Sequence, residues 1–292
     1  MVNIVRAVLG VLTVIFAVQF GKDYKATQGS EEFNNDEQSW IKPGIIGFIG
    51  NFFDTLGIGS FAPIIAMSRV SKLKVHDKKI PGMLNVSCCI PVVTEALIFT
   101  TTIEVEPITL ITMLAAAGVG SYIGAGIISK MDEKKVQLIM GIALLATAIL
   151  MFLGLPWVNL MPGGGDAIGL SGAKLIIGIV GNFIFGALMT AGIGLYAPCM
   201  ALVYFLGMSP KVAFPIMMGS CAVLMPIASA KFIKEGQFPR KASLAITIGG
   251  VVGVFIAAYI VKSLPMDILK VLVVLVILYT STTLLRPALK KN

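Results

Sequence analysis

Charge is scarce in this chain. Only 13% of its 292 residues are Asp, Glu, Lys or Arg, about half the ~25% of an ordinary soluble domain. Hydrophobic residues make up 57%, and the mean hydropathy is +0.91. So little charge cannot dress a water-facing surface, which excludes a soluble globular protein and makes lipid the expected solvent. Histidine is nearly missing too. His76 stands alone in a Lys-rich loop, which argues against a His-based catalytic or metal site. The four cysteines, Cys88, Cys89, Cys199 and Cys221, lie inside apolar stretches without metal-ligand spacing. Adjacency opposes an ordinary disulfide between Cys88 and Cys89, so all four read as small packing residues. With one histidine and one mid-segment aspartate there is no pair for intramembrane catalysis; no enzyme, cofactor or metal site is expected. The net charge of +8 points to basic cytoplasmic loops rather than to nucleic acid.

What the chain has in abundance is apolar runs of membrane-spanning length, about 20 residues each. The first covers residues 1–20. Its length also fits a signal peptide, but no small-x-small cleavage site precedes Gly21, so an uncleaved N-terminal transmembrane helix is expected. A polar linker, 21–42, follows. Apolar segments then come at about 43–68, 80–101, 108–128 and 136–154, and a second set at about 174–206, 213–230, 242–261 and 268–285. A Gly/Pro-rich loop at 156–173 separates the sets.

The two sets carry one pattern twice. Gly57-Ile58-Gly59-x-x-Ala62-Pro63 recurs 135 residues later as Gly192-Ile193-Gly194-x-x-Ala197-Pro198. The same spacing pairs Pro91 with Pro226, Gly118 with Gly253, Met131-Asp132 with Met266-Asp267 and Val136 with Val271. One ungapped register over some eighty residues implies an internal duplication, with repeat 1 at 43–155 and repeat 2 at 174–286.

Basic residues orient the repeats. If the 43–68 and 174–206 segments each cross once, Lys and Arg divide almost evenly between the two sides. If each is a re-entrant hairpin broken at its Gly-Ile-Gly, the loops 21–42, 69–79, 129–135 and 231–241 and the C-tail share one side and hold 18 of the 23 Lys and Arg. The positive-inside rule favours the second arrangement, with the C-terminus in the cytoplasm. The expected fold is therefore an all-α integral membrane protein of two inverted repeats. Each repeat is a broken, re-entrant helical hairpin plus three transmembrane helices, and one N-terminal helix precedes them. A kinked but complete helix is the competing reading of each hairpin.

The two breaks are the expected binding site. Glycine admits backbone angles closed to other residues and lets a ligand approach the main chain. Proline suits the first turn of a helix, so Pro63 and Pro198 read as the starts of fresh helices. Such ends offer unpaired N–H groups and about half a positive charge to an anion; close helix packing is the bland alternative. The candidate substrate-binding set is Gly57, Gly59, Ser60, Pro63, Gly192, Gly194, Pro198, Asn51, Asn85 and Ser220. Asp54 and Glu95, ionisable residues within apolar segments, are the coupling candidates. Thr55, Asn182 and Thr190 add polarity to the arms. The expected partners are a small anionic substrate and the lipid bilayer, with room for a homodimer.

These residues carry a resemblance. The two glycine-rich breaks with their Ala-Pro pairs, the patches Leu84-Asn85-Val86 and Gly219-Ser220-Cys221, and the stretch Gly118-Val119-Gly120-Ser121-Tyr122-Ile123-Gly124-Ala125-Gly126 resemble the sulfite exporter TauE/SafE-like family over residues 43–285. The chain departs from the three consecutive glycines of many members, having Gly57-Ile58-Gly59-Ser60 and Gly192-Ile193-Gly194-Leu195 instead. The resemblance implies secondary transport, as export, of sulfite, organosulfonates or related sulfur anions across the inner membrane of a bacterium or archaeon. A cation or metal transporter or channel is the alternative.

Overall fold

The computed structural model describes residues 2–28, 39–75, 79–128, 133–155, 157–158, 165–189, 194–263 and 265–289. Among these the chain is helical and has no strand. The helices are α1 (Val2–Thr27), α2 (Ile41–Thr55), α3 (Phe61–Val70), α4 (Ile80–Thr102), α5 (Pro107–Ile128), α6 (Glu133–Leu153), α7 (Gly172–Met189), α8 (Tyr196–Phe205), α9 (Ala213–Lys234), α10 (Arg240–Ser263) and α11 (Met266–Leu289). Six of them, α1, α4, α7, α9, α10 and α11, are long and apolar enough to cross a membrane. By contrast α2, with 15 residues, spans about 22 Å and the ten-residue α3 and α8 about 15 Å, at 1.5 Å per residue. All three fall short of a ~30 Å hydrocarbon core.

Helix bounds repeat at the spacing seen in the motifs. α3 and α8 lie 135 residues apart at both ends, as do the last residues of α5 and α10. Pro91 sits inside α4 and Pro226 inside α9. The helices gather into two compact units, and each draws on both halves of the sequence. One is Met1–Ile98 with Cys221–Ile260; the other is Phe99–Ser220 with Val261–Asn292.

In the first unit α2 and α10 cross with their backbones nearly touching. A Cβ on Gly47 would strike the backbone of Ile246, one on Gly249 the carbonyl of Gly44, and one on Gly253 the carbonyl of Phe48. Small residues at such spacing let membrane helices pack closely, where the hydrophobic effect gives no help. α1 turns Leu9, Phe16 and Phe20 inward, while Ile4, Val11 and Val14 on its other faces are exposed. That is tolerable only in lipid. The helix also continues to Thr27, seven residues beyond the apolar run. Its polar end has partners there: Asp23 takes both forks of Arg240 at 2.7 and 3.1 Å, and the Arg240 guanidinium lies 5.2 Å over the Phe238 ring.

The second unit repeats the device with α5 and α7. A Cβ on Gly120 would meet the carbonyl of Phe183, and one on Gly186 the carbonyl of Ala117. Its loop end is pinned by Glu106, which accepts from the N–H of Ile108 (3.0 Å) and of Thr109 (2.7 Å). Thr109 Oγ1 in turn receives the N–H of Leu170 at 2.8 Å.

Candidate functional site

The first break is built by how α2 ends. Leu56 caps the helix, the Gly57 N–H donates to Asp54 O (2.7 Å) and the Ile58 N–H to Phe53 O (3.1 Å). These are the paired bonds of a Schellman motif, which needs a left-handed residue at the position Gly57 holds. Gly57 has φ +91°, and so has Gly59. Two glycines in that region turn the chain within five residues, and α3 starts at Phe61. Pro63 is therefore the third residue of α3 rather than its first. The N–H groups of Phe61 and Ala62 have no acceptor, and Ile64 is the first residue of α3 to bond back, to Ser60 O at 3.0 Å.

Ser60 precedes α3 but does not cap it with its side chain. Its hydroxyl and its backbone N–H both reach the carboxylate of Asp54 across the turn, and the hydroxyl also bonds the Cys88 thiol of α4. Asp54 is 2% exposed. Its Oδ2 has no hydrogen-bond partner, and neither has Oδ1 of the fully buried Asn51, one turn earlier on the same helix. Thr55 Oγ1 donates to Oε1 of the buried Glu95 and sits the same 2.8 Å from Asn51 O. No Lys or Arg among the described residues pairs with Asp54. Asn51, Asp54, Thr55, Ser60, Cys88 and Glu95 thus form one buried polar cluster, joined by α2, the turn before α3, and α4.

Behind the cluster a proline explains a contact. Pro91 has no N–H to give to Ser87, four residues back in α4, so the Ser87 carbonyl is freed. Thr247 Oγ1 of α10 takes it at 2.8 Å. Asn85, also on α4, is half-buried.

The second unit holds the remaining candidates. Ser220 is buried and accepts from Asn182 Nδ2 at 2.9 Å, while Asn182 also donates to Met113 O at 2.7 Å and leaves its Oδ1 without a partner. Pro198 is buried as the third residue of α8. Gly194 is exposed. Gly192, Thr190 and His76 lie outside the described residues.

The first unit therefore holds Asn51, Asp54, Gly57, Gly59, Ser60, Pro63, Asn85 and Glu95, of which Asn51, Asp54, Ser60 and Glu95 meet in the cluster. Gly194, Pro198 and Ser220 belong to the second. Cys88 and Thr247 were not singled out by sequence. Nothing marks Cys88 as a partner of Ser60, but a hydroxyl contact at Ser87 follows from the proline four residues on.

Two short helices, a glycine-turned break and the buried carboxylate of Asp54 with no basic partner suit a membrane carrier. The model of the family described as sulfite exporter TauE/SafE matches residues 2–151 and 174–292. No curated protein and no solved structure matches the chain. The chain belongs to the sulfite exporter TauE/SafE family, whose members are multi-pass membrane transporters and not enzymes.

Proposed function

We propose that this protein is a secondary transporter that exports small sulfur-containing anions, such as sulfite or an organosulfonate, across the inner membrane. Its C-terminus faces the cytoplasm, and its two inverted repeats, 43–155 and 174–286, hold the substrate near the midplane between the Gly-Ile-Gly breaks. The observation that carries the reading is the family match over nearly the whole chain. The sulfur identity rests on it alone. The anion identity has a second support in the break itself. The start of α3 offers unpaired N–H groups of Phe61 and Ala62 and the positive end of a helix dipole, where glycines leave the main chain open: no heavy atom lies within 4 Å of a Cβ built on Gly59. Irregular backbone at membrane depth is tolerated where it lines a cavity, and broken helices of this kind are recurrent carrier sites. Asp54 and Glu95 beside the break are suited to couple the anion to a cation.

Those two buried carboxylates also favour a second reading, a cation or metal transporter. A titration of the purified protein with sulfite, an alkyl sulfonate, thiosulfate and chloride separates the two. The proposal expects binding of at least one sulfur anion in preference to chloride. Binding of a divalent cation with no response to any anion would promote the second reading.

A further inference from the structure

We infer that the buried polar cluster where α2 ends, built on Asn51 and Asp54 and covered by Ser60, is a sodium site that couples to substrate movement. The inference deepens the proposed function and rests on that reading only for the word coupling. Three features of the cluster call for a cation. First, Asp54 is a buried carboxylate with no basic partner, and an unpaired charge in a dry site needs a counter-charge. Second, Asn51 is fully buried and its Oδ1 lacks a donor, as does Asp54 Oδ2. The two residues stand three apart on one helix, so they share a face. Third, this is the negative end of α2, and the carbonyls of Thr55 and Leu56 accept no hydrogen bond from any described residue.

Every one of these donors is a hard oxygen, which suits an alkali or alkaline-earth ion over a soft metal. No group of three or more His, Cys, Asp or Glu that could hold a metal ion occurs among the described residues, and one free carboxylate balances a single positive charge. The groups facing Asp54 from the other elements are Ser60 of the turn and Cys88 of α4, with Glu95 acting on Cys88 in turn, none of them cationic. A proton on Asp54 Oδ2 can be donated to Asn51 Oδ1 and so serve both of those atoms, but it would leave the carbonyls of Thr55 and Leu56 without a partner; a sodium ion can be coordinated by carbonyl oxygens as well. Sodium at the end of α2 also removes the negative charge that would otherwise repel an oxyanion from the start of α3, five residues on.

The test uses the full-length protein in lipid nanodiscs with no anionic substrate other than chloride. Thermal unfolding is followed in sodium chloride and in choline chloride at equal ionic strength, together with equilibrium binding of radioactive sodium. Sodium at 100 times its dissociation constant should raise Tm by about 5 °C, with one ion bound per chain. Asp54→Asn should abolish both signals, Asn51→Ser should weaken sodium at least tenfold, and the exposed-loop control Glu235→Gln should change neither. Asn51→Ser keeps the test decisive if Asp54→Asn fails to fold. Equal Tm values in sodium and choline, full sodium binding in either Asn51→Ser or Asp54→Asn, or stabilisation by acid alone would overturn the inference. Anion flux indifferent to sodium would sink the coupling and leave the proposed function standing; sodium binding without any anion flux would leave the site standing and sink the proposed function.

Discussion

Replacing Thr247 with valine probes the join between α4 and α10 behind the polar cluster. The side chains are nearly the same shape, so the change removes one hydroxyl and little packing. That hydroxyl is the donor to Ser87 O at 2.8 Å, and Pro91 cannot replace it. An orphaned buried carbonyl costs about 1–3 kcal/mol, while hydrogen bonds between membrane helices average nearer ~0.6 kcal/mol with a maximum of about 1.7. The two ranges overlap at roughly 1–2 kcal/mol, or about 2–6 °C in Tm for a chain of this size. The decisive form is a double-mutant cycle. Pro91→Ala restores an N–H that can reach Ser87 O within α4, so Thr247→Val in that background should cost under about 0.5 kcal/mol. Thermal unfolding of the four proteins in one detergent measures the coupling. Equal costs of Thr247→Val with and without Pro91 would refute the reasoning, because the carbonyl's need for a donor would then not come from the proline.

Gly59→Ala should destabilise by about 1–2 kcal/mol, because its φ of +91° belongs to the left-handed region; the space for a methyl is open. Asn, which tolerates that region, should recover most of the loss in thermal melts of the three proteins. Burial alone would raise the carboxyl pKa of Glu106, but the N–H and hydroxyl of Thr109 and the N–H of Ile108 outweigh it and hold the pKa below its ordinary 4.5. Its contribution is therefore full above pH 4.5 and fades as pH falls through the lowered value, and Glu106→Gln should remove that acid-side slope from a pH series of melts. Single cysteines at Lys74, Lys134 and Gln237, in a background without native cysteines, should all resist labelling from outside the cell; strong labelling at 237 with none at 74 would mean parallel repeats.

Much of the architecture was legible because lipid leaves few solutions. Apolar runs located α4, α5, α6, α9, α10 and α11 to within a few residues, and the 135-residue spacing of Gly57 and Gly192 anticipated that α3 and α8 would have the same length. The start of α3 was misplaced by two residues, since Pro63 tolerates any place in the first turn, and the glycine turn rather than the proline sets the boundary. α1 outran its apolar run to Thr27 because the pairing of Asp23 with Arg240, 217 residues away, is a tertiary fact. The candidate site was partly legible for the same reason. Asp54 and Glu95 stand out as charges among apolar neighbours, and their burial follows. That Ser60 folds back on Asp54 instead of capping α3 depends on two successive positive φ angles.

Solute flux in proteoliposomes of the purified protein tests the central claim most directly. Vesicles loaded with radioactive sulfite or an alkyl sulfonate should lose it at a rate proportional to the protein incorporated. An excess of the unlabelled anion on the opposite face should accelerate exchange, and Gly59→Val, correctly inserted, should reduce flux to that of empty vesicles. Flux equal to protein-free vesicles for every sulfur anion, with a cation crossing instead, would contradict the account.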